Sequence, residues 1–77
     1  MTSVKIMLNS IGYVNGFVNT VTGFDTDMKL VHDKYVINAK SILGIFSLDL
    51  LQPIELQIYA DLKEAEPILE QLKEYLA

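Results

Sequence analysis

The stretch from Lys40 to Leu51, KSILGIFSLDLL, constrains the fold more than any other part of the chain. Ile42, Leu43, Ile45, Phe46, Leu48, Leu50 and Leu51 crowd apolar side chains onto nearly every side of it. The interior of a 77-residue protein is too small to take them all. Some must stay at the surface, where an apolar patch marks a docking site. Ser41 stands just ahead of the run, the position of a helix N-cap, and Gln52-Pro53 closes it. With Ile42 and Ile45 as the inward pair, Phe46 is the side chain expected to face outward.

What surrounds this stretch is set by composition. The length allows one domain, residues 1–77, close to the lower limit for a chain that folds on its core alone. Hydrophobic residues make up 51% of it, enough for one compact core. There is no cysteine, which removes disulfides, thiolate metal ligands and a thiol nucleophile. No apolar run approaches a membrane span and no charged-then-apolar leader follows Met1, so a cytoplasmic protein without membrane attachment is expected. The net charge is −4, with Asp61, Glu64, Glu66, Glu70 and Glu74 gathered near the C-terminus as a solvated face. Six scattered lysines and no arginine serve a phosphate backbone poorly, so no nucleic-acid partner is expected. One histidine and no clustered carboxylates outside the last segment supply neither a metal site nor a hydrolase, and no cofactor is implied.

Along the chain, Val4 to Leu8 alternates as a first strand with Val4, Ile6 and Leu8 inward. Asn9 or Ser10 can cap a helix over Ile11–Thr22, whose stripe is Ile11, Val14, Phe17, Val18 and Val21. Glycines and β-branched residues make it a weak helix that packing must hold. Gly23 is placed for a left-handed C-terminal cap, and Phe24 to fold back on the last turn. A hairpin follows, turning at His32-Asp33-Lys34, with Met28, Leu30, Ile37 and Ala39 inward. After the short helix from Ser41, Ile54–Tyr59 alternates as a fourth strand. Asp61-x-x-Glu64 reads as a capping box for a last helix with Ile68, Leu69, Leu72, Tyr75 and Leu76 inward. Pro67 lies past its first turn and is expected to bend the helix or delay its start. The order is β-α-β-β-α-β-α, an α+β fold with helices on one face of a four-stranded antiparallel sheet. Lys5, Met7, Lys29, Val31, Glu55, Gln57 and Tyr59 are the outward candidates.

Lys40-Ser41-Ile42-Leu43-Gly44-Ile45-Phe46-Ser47-Leu48 is similar to the signature around the regulatory serine of HPr, the phosphocarrier of the bacterial sugar phosphotransferase system (PTS). The element order and length also resemble that family over essentially the whole chain. The resemblance implies an open-faced β-sandwich, a four-stranded antiparallel sheet under three helices. HPr also carries a phosphate on a histidine in a Gly-Ile-His-Ala-Arg-Pro-like run, and here the sequence departs from the pattern. The corresponding region reads Leu8-Asn9-Ser10-Ile11-Gly12-Tyr13-Val14-Asn15, and an ungapped count from Lys40 puts Ser10 near the histidine's place. A phosphohistidine relay needs an imidazole nucleophilic at neutral pH. A serine phosphate ester is too stable to be passed on. The lone histidine, His32, belongs to a turn with no activating group near it in sequence.

The resemblance therefore implies a non-enzymatic, degenerate HPr-like protein that binds and does not transfer. It carries to Ser41 the role of a regulatory phosphorylation site on a helix's positive end, with Lys40 adjacent, beside the plain role of an N-cap. Leu43, Phe46 and Ser47 correspond to partner-binding positions, joined by Asn9, Ser10 and Tyr13 of the loop at the first helix. The implied partner is a PTS component, an HPr kinase or a transcriptional regulator, with the chain itself a monomer or weak dimer. Two other readings stand beside this one: a working phosphocarrier with an atypical site, and a small oligomerising domain whose apolar patch closes a dimer.

Overall fold

The computed structural model describes all 77 residues. Strand β1 (Thr2–Ile6) leads to helix α1 (Ile11–Thr22), the hairpin β2 (Met28–His32) and β3 (Tyr35–Asn38), and short helix α2 (Ile42–Phe46). Strand β4 (Ile54–Ile58), helix α3 (Leu62–Gln71) and a 3-10 turn at Lys73–Tyr75 complete the chain. The strands form one antiparallel sheet in the order β1-β4-β2-β3. The chain's last strand thus lies between its first and second. That place suits the cleanest alternation in the sequence: Ile54, Leu56 and Ile58 are buried, while Glu55 and Gln57 face outward and hydrogen-bond each other at 2.7 Å.

The core lies between one sheet face and the helices. Ile6, Leu30, Ile54, Leu56 and Ile58 meet Val14, Phe17 and Val21 of α1, Ile45 of α2, and Ala65 and Ile68 of α3. No polar or charged residue is buried. Each large apolar side chain removed from water stabilises the fold by about 1.5–3 kcal/mol. The outward candidates Lys5, Met7, Lys29, Val31, Glu55, Gln57 and Tyr59 all keep contact with solvent. This is the open-faced α+β sandwich expected from the element order.

Several local expectations are corrected. β1 begins at Thr2 and ends at Ile6, because Thr2 to Ile6 pair with Ile58 to Ile54 and the amide of Met7 leaves the ladder to donate to the Tyr75 carbonyl at 2.8 Å. Ile11 does not join the α1 stripe; as the first helical residue, ahead of the turn that packs, it is 69% exposed. Gly23 is right-handed, φ −75°, and α1 closes instead by i→i+3 bonds from Gly23 and Phe24 to Thr20 and Val21. Phe24 does fold back against the core. The hairpin turn is tighter than His32–Lys34, since His32 still pairs with Tyr35 and Asp33 alone takes a positive φ, 57°. Ile37, at a sheet edge, is only partly covered.

Pro67 neither delays α3 nor stops it: the helix runs from Leu62 through Pro67 to Gln71. Asp61 caps it, accepting the Glu64 amide at 2.9 Å, so the forward half of the capping box forms. The inward stripe holds for Ile68, Leu72 and Tyr75. Leu76 lies beyond the helix, bridged to Ile6 and partly exposed.

Candidate functional site

Two helix starts build the site. Ser10 has extended backbone, φ −148°, and its Oγ accepts the amide of Tyr13 at 3.1 Å. Ser41 does the same for α2, accepting the Gly44 amide at 3.2 Å. Both are caps by the same rule, a short hydroxyl satisfying an amide left without a partner in the first turn. Gly44 fits closely here: a Cβ would sit 3.1 Å from Ser41 Oγ and 3.3 Å from Ile37 Cδ1, so either side chain would have to give by a few tenths of an ångström. α1 packs beside α2, so the Asn9–Tyr13 loop and α2 belong to neighbouring elements.

The apolar stretch divides as α2 folds. Ile45 and Leu48 go into the core, Leu50 is half-buried, and the segment after Phe46 turns through bonds from Ser47 and Leu48 to Gly44 and Ile45. A five-residue helix presents only one side inward, and Ile45 occupies it. The expected inward partner Ile42 is therefore 36% exposed, Phe46 is 42% exposed and Leu43 reaches 81%. Leu43, not Phe46, is the outermost apolar side chain of α2. Asn9, Ser10 and Tyr13 are exposed as well, with the Tyr13 ring set edge-on against Tyr75. Ser47 is exposed, but its hydroxyl is turned back to donate to the Gly44 carbonyl at 2.5 Å.

Electrostatics separate this face from the rest of the surface. No Lys, Asp, Glu or His occurs from Ile6 to Phe24, nor from Ser41 to Leu48. α1 and α2 are thus without formal charge, while the acids of α3 and the charged residues of the strands lie elsewhere. Lys40, the nearest cation to Ser41 in sequence, sends its Nζ to the Phe24 carbonyl at 2.5 Å. Its charge is thus engaged by a backbone carbonyl just past the end of α1. Near the loop, burial and the neighbouring Glu74 carboxylate raise the Tyr75 phenol above its ordinary pKa, keeping it neutral.

No imidazole stands at Ser10. His32 ends β2 beside the hairpin turn, opposite Tyr35. No group of three or more histidines and carboxylates converges as metal ligands, and no helix is long and apolar enough to cross a membrane. One contact has no signal in the sequence: the packing of Tyr75 over Gly16, between residues too far apart in the chain for periodicity to connect.

Comparison with known proteins agrees with this architecture. The family model described as "PTS HPr component phosphorylation site" matches residues 14–77, beginning just past the Ser10–Tyr13 loop. HPr-C-His from Thermoanaerobacter tengcongensis superposes with a TM-score of 0.74 at 30% identity, over 96% of this chain and 92% of that one. The phosphocarrier protein HPr from Bacillus anthracis gives 0.71 at 28% identity, over 99% and 94%. A histidine-containing phosphocarrier protein from Mycoplasma, at 15% identity and a TM-score of 0.69 over 95% and 86%, shares the fold. With the nine-residue signature at Ser41, the open-faced sandwich and these matches in hand, the chain is placed: it belongs to the HPr family of the phosphotransferase system.

Proposed function

We propose that this single-domain member of the family has lost phosphohistidine transfer and acts in the cytoplasm as a binding module. Its docking surface is the uncharged face of α1 and α2. The observation that carries this reading is the pairing of a serine cap where the relay needs an imidazole with an intact apolar face around Leu43 and Phe46. Ile42, Leu43 and Phe46 stand exposed together on one short helix, an apolar patch of the kind that marks a docking surface. The partner is a PTS component, an HPr kinase or a transcriptional regulator.

The chemistry of the face restricts how that partner is met. An acidic or basic surface would leave its own charges desolvated and unpaired against α1 and α2. A neutral, apolar counter-surface fits, and such association is neither steered by charge nor screened by salt. Ser41 can regulate the contact. A phosphate there sits on the first turn of α2 and competes with the Phe24 carbonyl for the adjacent Lys40 ammonium.

Amide NMR during titration with an HPr kinase tests both parts. The expected outcome is perturbation confined to Asn9–Tyr13 and Ile42–Ser47, with an affinity that changes less than about threefold between low and physiological salt. With ATP added, a phosphate appears on Ser41 and is absent from Ser41→Ala. Perturbation centred on the acidic face of α3, or steep salt dependence, contradicts the assignment of the surface.

A further inference from the structure

Tyr75 joins the C-terminal segment to the first turns of α1. The ring is buried, and its edge-on contacts reach Tyr13 at 5.3 Å between centroids and Phe17 at 6.0 Å. Its backbone is held from the other side: the Tyr75 carbonyl accepts the Met7 amide at 2.8 Å, Leu76 bridges to Ile6, and the Ala77 amide donates to the Lys5 carbonyl at 2.9 Å. The phenol itself lies against Gly16. A Cβ built on Gly16 would overlap the Tyr75 hydroxyl oxygen outright, yet would stand 3.6 Å from the ring carbon bearing it, an ordinary van der Waals distance. The hydroxyl, not the ring, is what excludes a side chain from position 16.

We infer that Tyr75 is a positioning residue for the docking surface: the C-terminal strand-like tail is a strap, locked by the phenol over Gly16, that fixes the Tyr13 ring and the capped turn starting at Ser10. The importance of that turn rests on the proposed docking role, but the strap itself does not. The same tail pairs with the C-terminal end of β1 through the Ile6–Leu76 bridge, so one segment contacts both the sheet edge and the loop. Glycine in the middle of a helix is otherwise a poor choice, and helix preference alone makes alanine at position 16 favour the folded state by roughly two- to fivefold. A merely space-filling Tyr75 in flexible contact with α1 would leave that preference visible.

Four proteins decide it: wild type, Gly16→Ala, Tyr75→Phe and the double variant, compared by denaturant unfolding and by the Tyr13 ring-proton resonances. The strap requires Gly16→Ala to lower the folding equilibrium by about tenfold or more when Tyr75 is present, through overpacking. In the Tyr75→Phe background the same change should raise the equilibrium roughly two- to fivefold, as helix preference dictates. Tyr13 resonances should move toward free-tyrosine positions in Gly16→Ala and return in the double variant. If Gly16→Ala does not fold, the double variant decides alone: a folded protein with native Tyr13 resonances supports the strap, and an unfolded one overturns it. Alanine that stabilises both backgrounds, or destabilises both equally, overturns it too, as do Tyr13 resonances unmoved in Gly16→Ala. No partner enters these measurements, so they stand whatever the titration with kinase shows.

Discussion

Ser10 and Ser41 hold the same structural post, each an extended residue whose hydroxyl accepts an amide three positions on. Local chemistry makes both legible in sequence, because a short polar side chain before an apolar run has few other employments. The cap has a measurable worth at Ser41: Ser41→Ala should lower stability by about 1 kcal/mol in denaturant titration, while Ser41→Asp should hold near wild type, since aspartate caps as well. Equal losses in both variants would mean that the serine does something other than cap α2. Less legible is which apolar residue of α2 faces out. Leu43 rather than Phe46 emerges because the side of a five-residue helix that meets the core is set by where Ile45 lands, and that depends on elements distant in sequence. Ile11 and Gly23 depart from expectation similarly: one fits the stripe and the other the cap rule, but tertiary placement overrules both.

At the scale of elements, alternation and helical spacing give the right kinds of element in the right order, and the boundaries shift where the ladder or the packing stops. β1 slides toward Thr2 because β4 pairs it there, and α2 ends at Phe46 because Leu48 must reach the core through a turn. α3 is instructive for the opposite reason. Pro67 has no amide to give the Lys63 carbonyl, so an interior helix bond is missing, yet the helix persists on its Ala65, Ile68 and Leu72 contacts and its Asp61 cap. Packing outweighs a local penalty of about 3 kcal/mol. Since Pro67 is exposed, replacing it costs no burial, and Pro67→Ala should stabilise the protein by roughly 1–3 kcal/mol with no change in near-ultraviolet circular dichroism. A loss of stability would mean that the proline shapes α3 in a way the core requires.

For the whole molecule, the layout keeps formal charge off α1 and α2. Asp61, Glu64, Glu66, Glu70 and Glu74 gather toward the C-terminus and the sheet's open face is mixed, while α1 offers the solvent a neutral, largely polar surface and α2 an apolar one. This partition is readable in outline, because charge is read directly from sequence and the family signature fixes where α2 lies. The strap is not, because Tyr75 and Gly16 are joined only by the closure of the fold. Ser10 is a helix cap and His32 lies out at the hairpin turn, and on the proposed reading this leaves no nucleophile for a phosphoryl relay. That claim is tested most directly by intact mass after incubation with phosphoenolpyruvate and the general phosphotransferase of the system, with an active HPr as the positive control. The expected result is an unchanged mass while the control gains one phosphate. A phosphate stable to base and labile to acid, mapped to His32 and lost in His32→Ala, would contradict it.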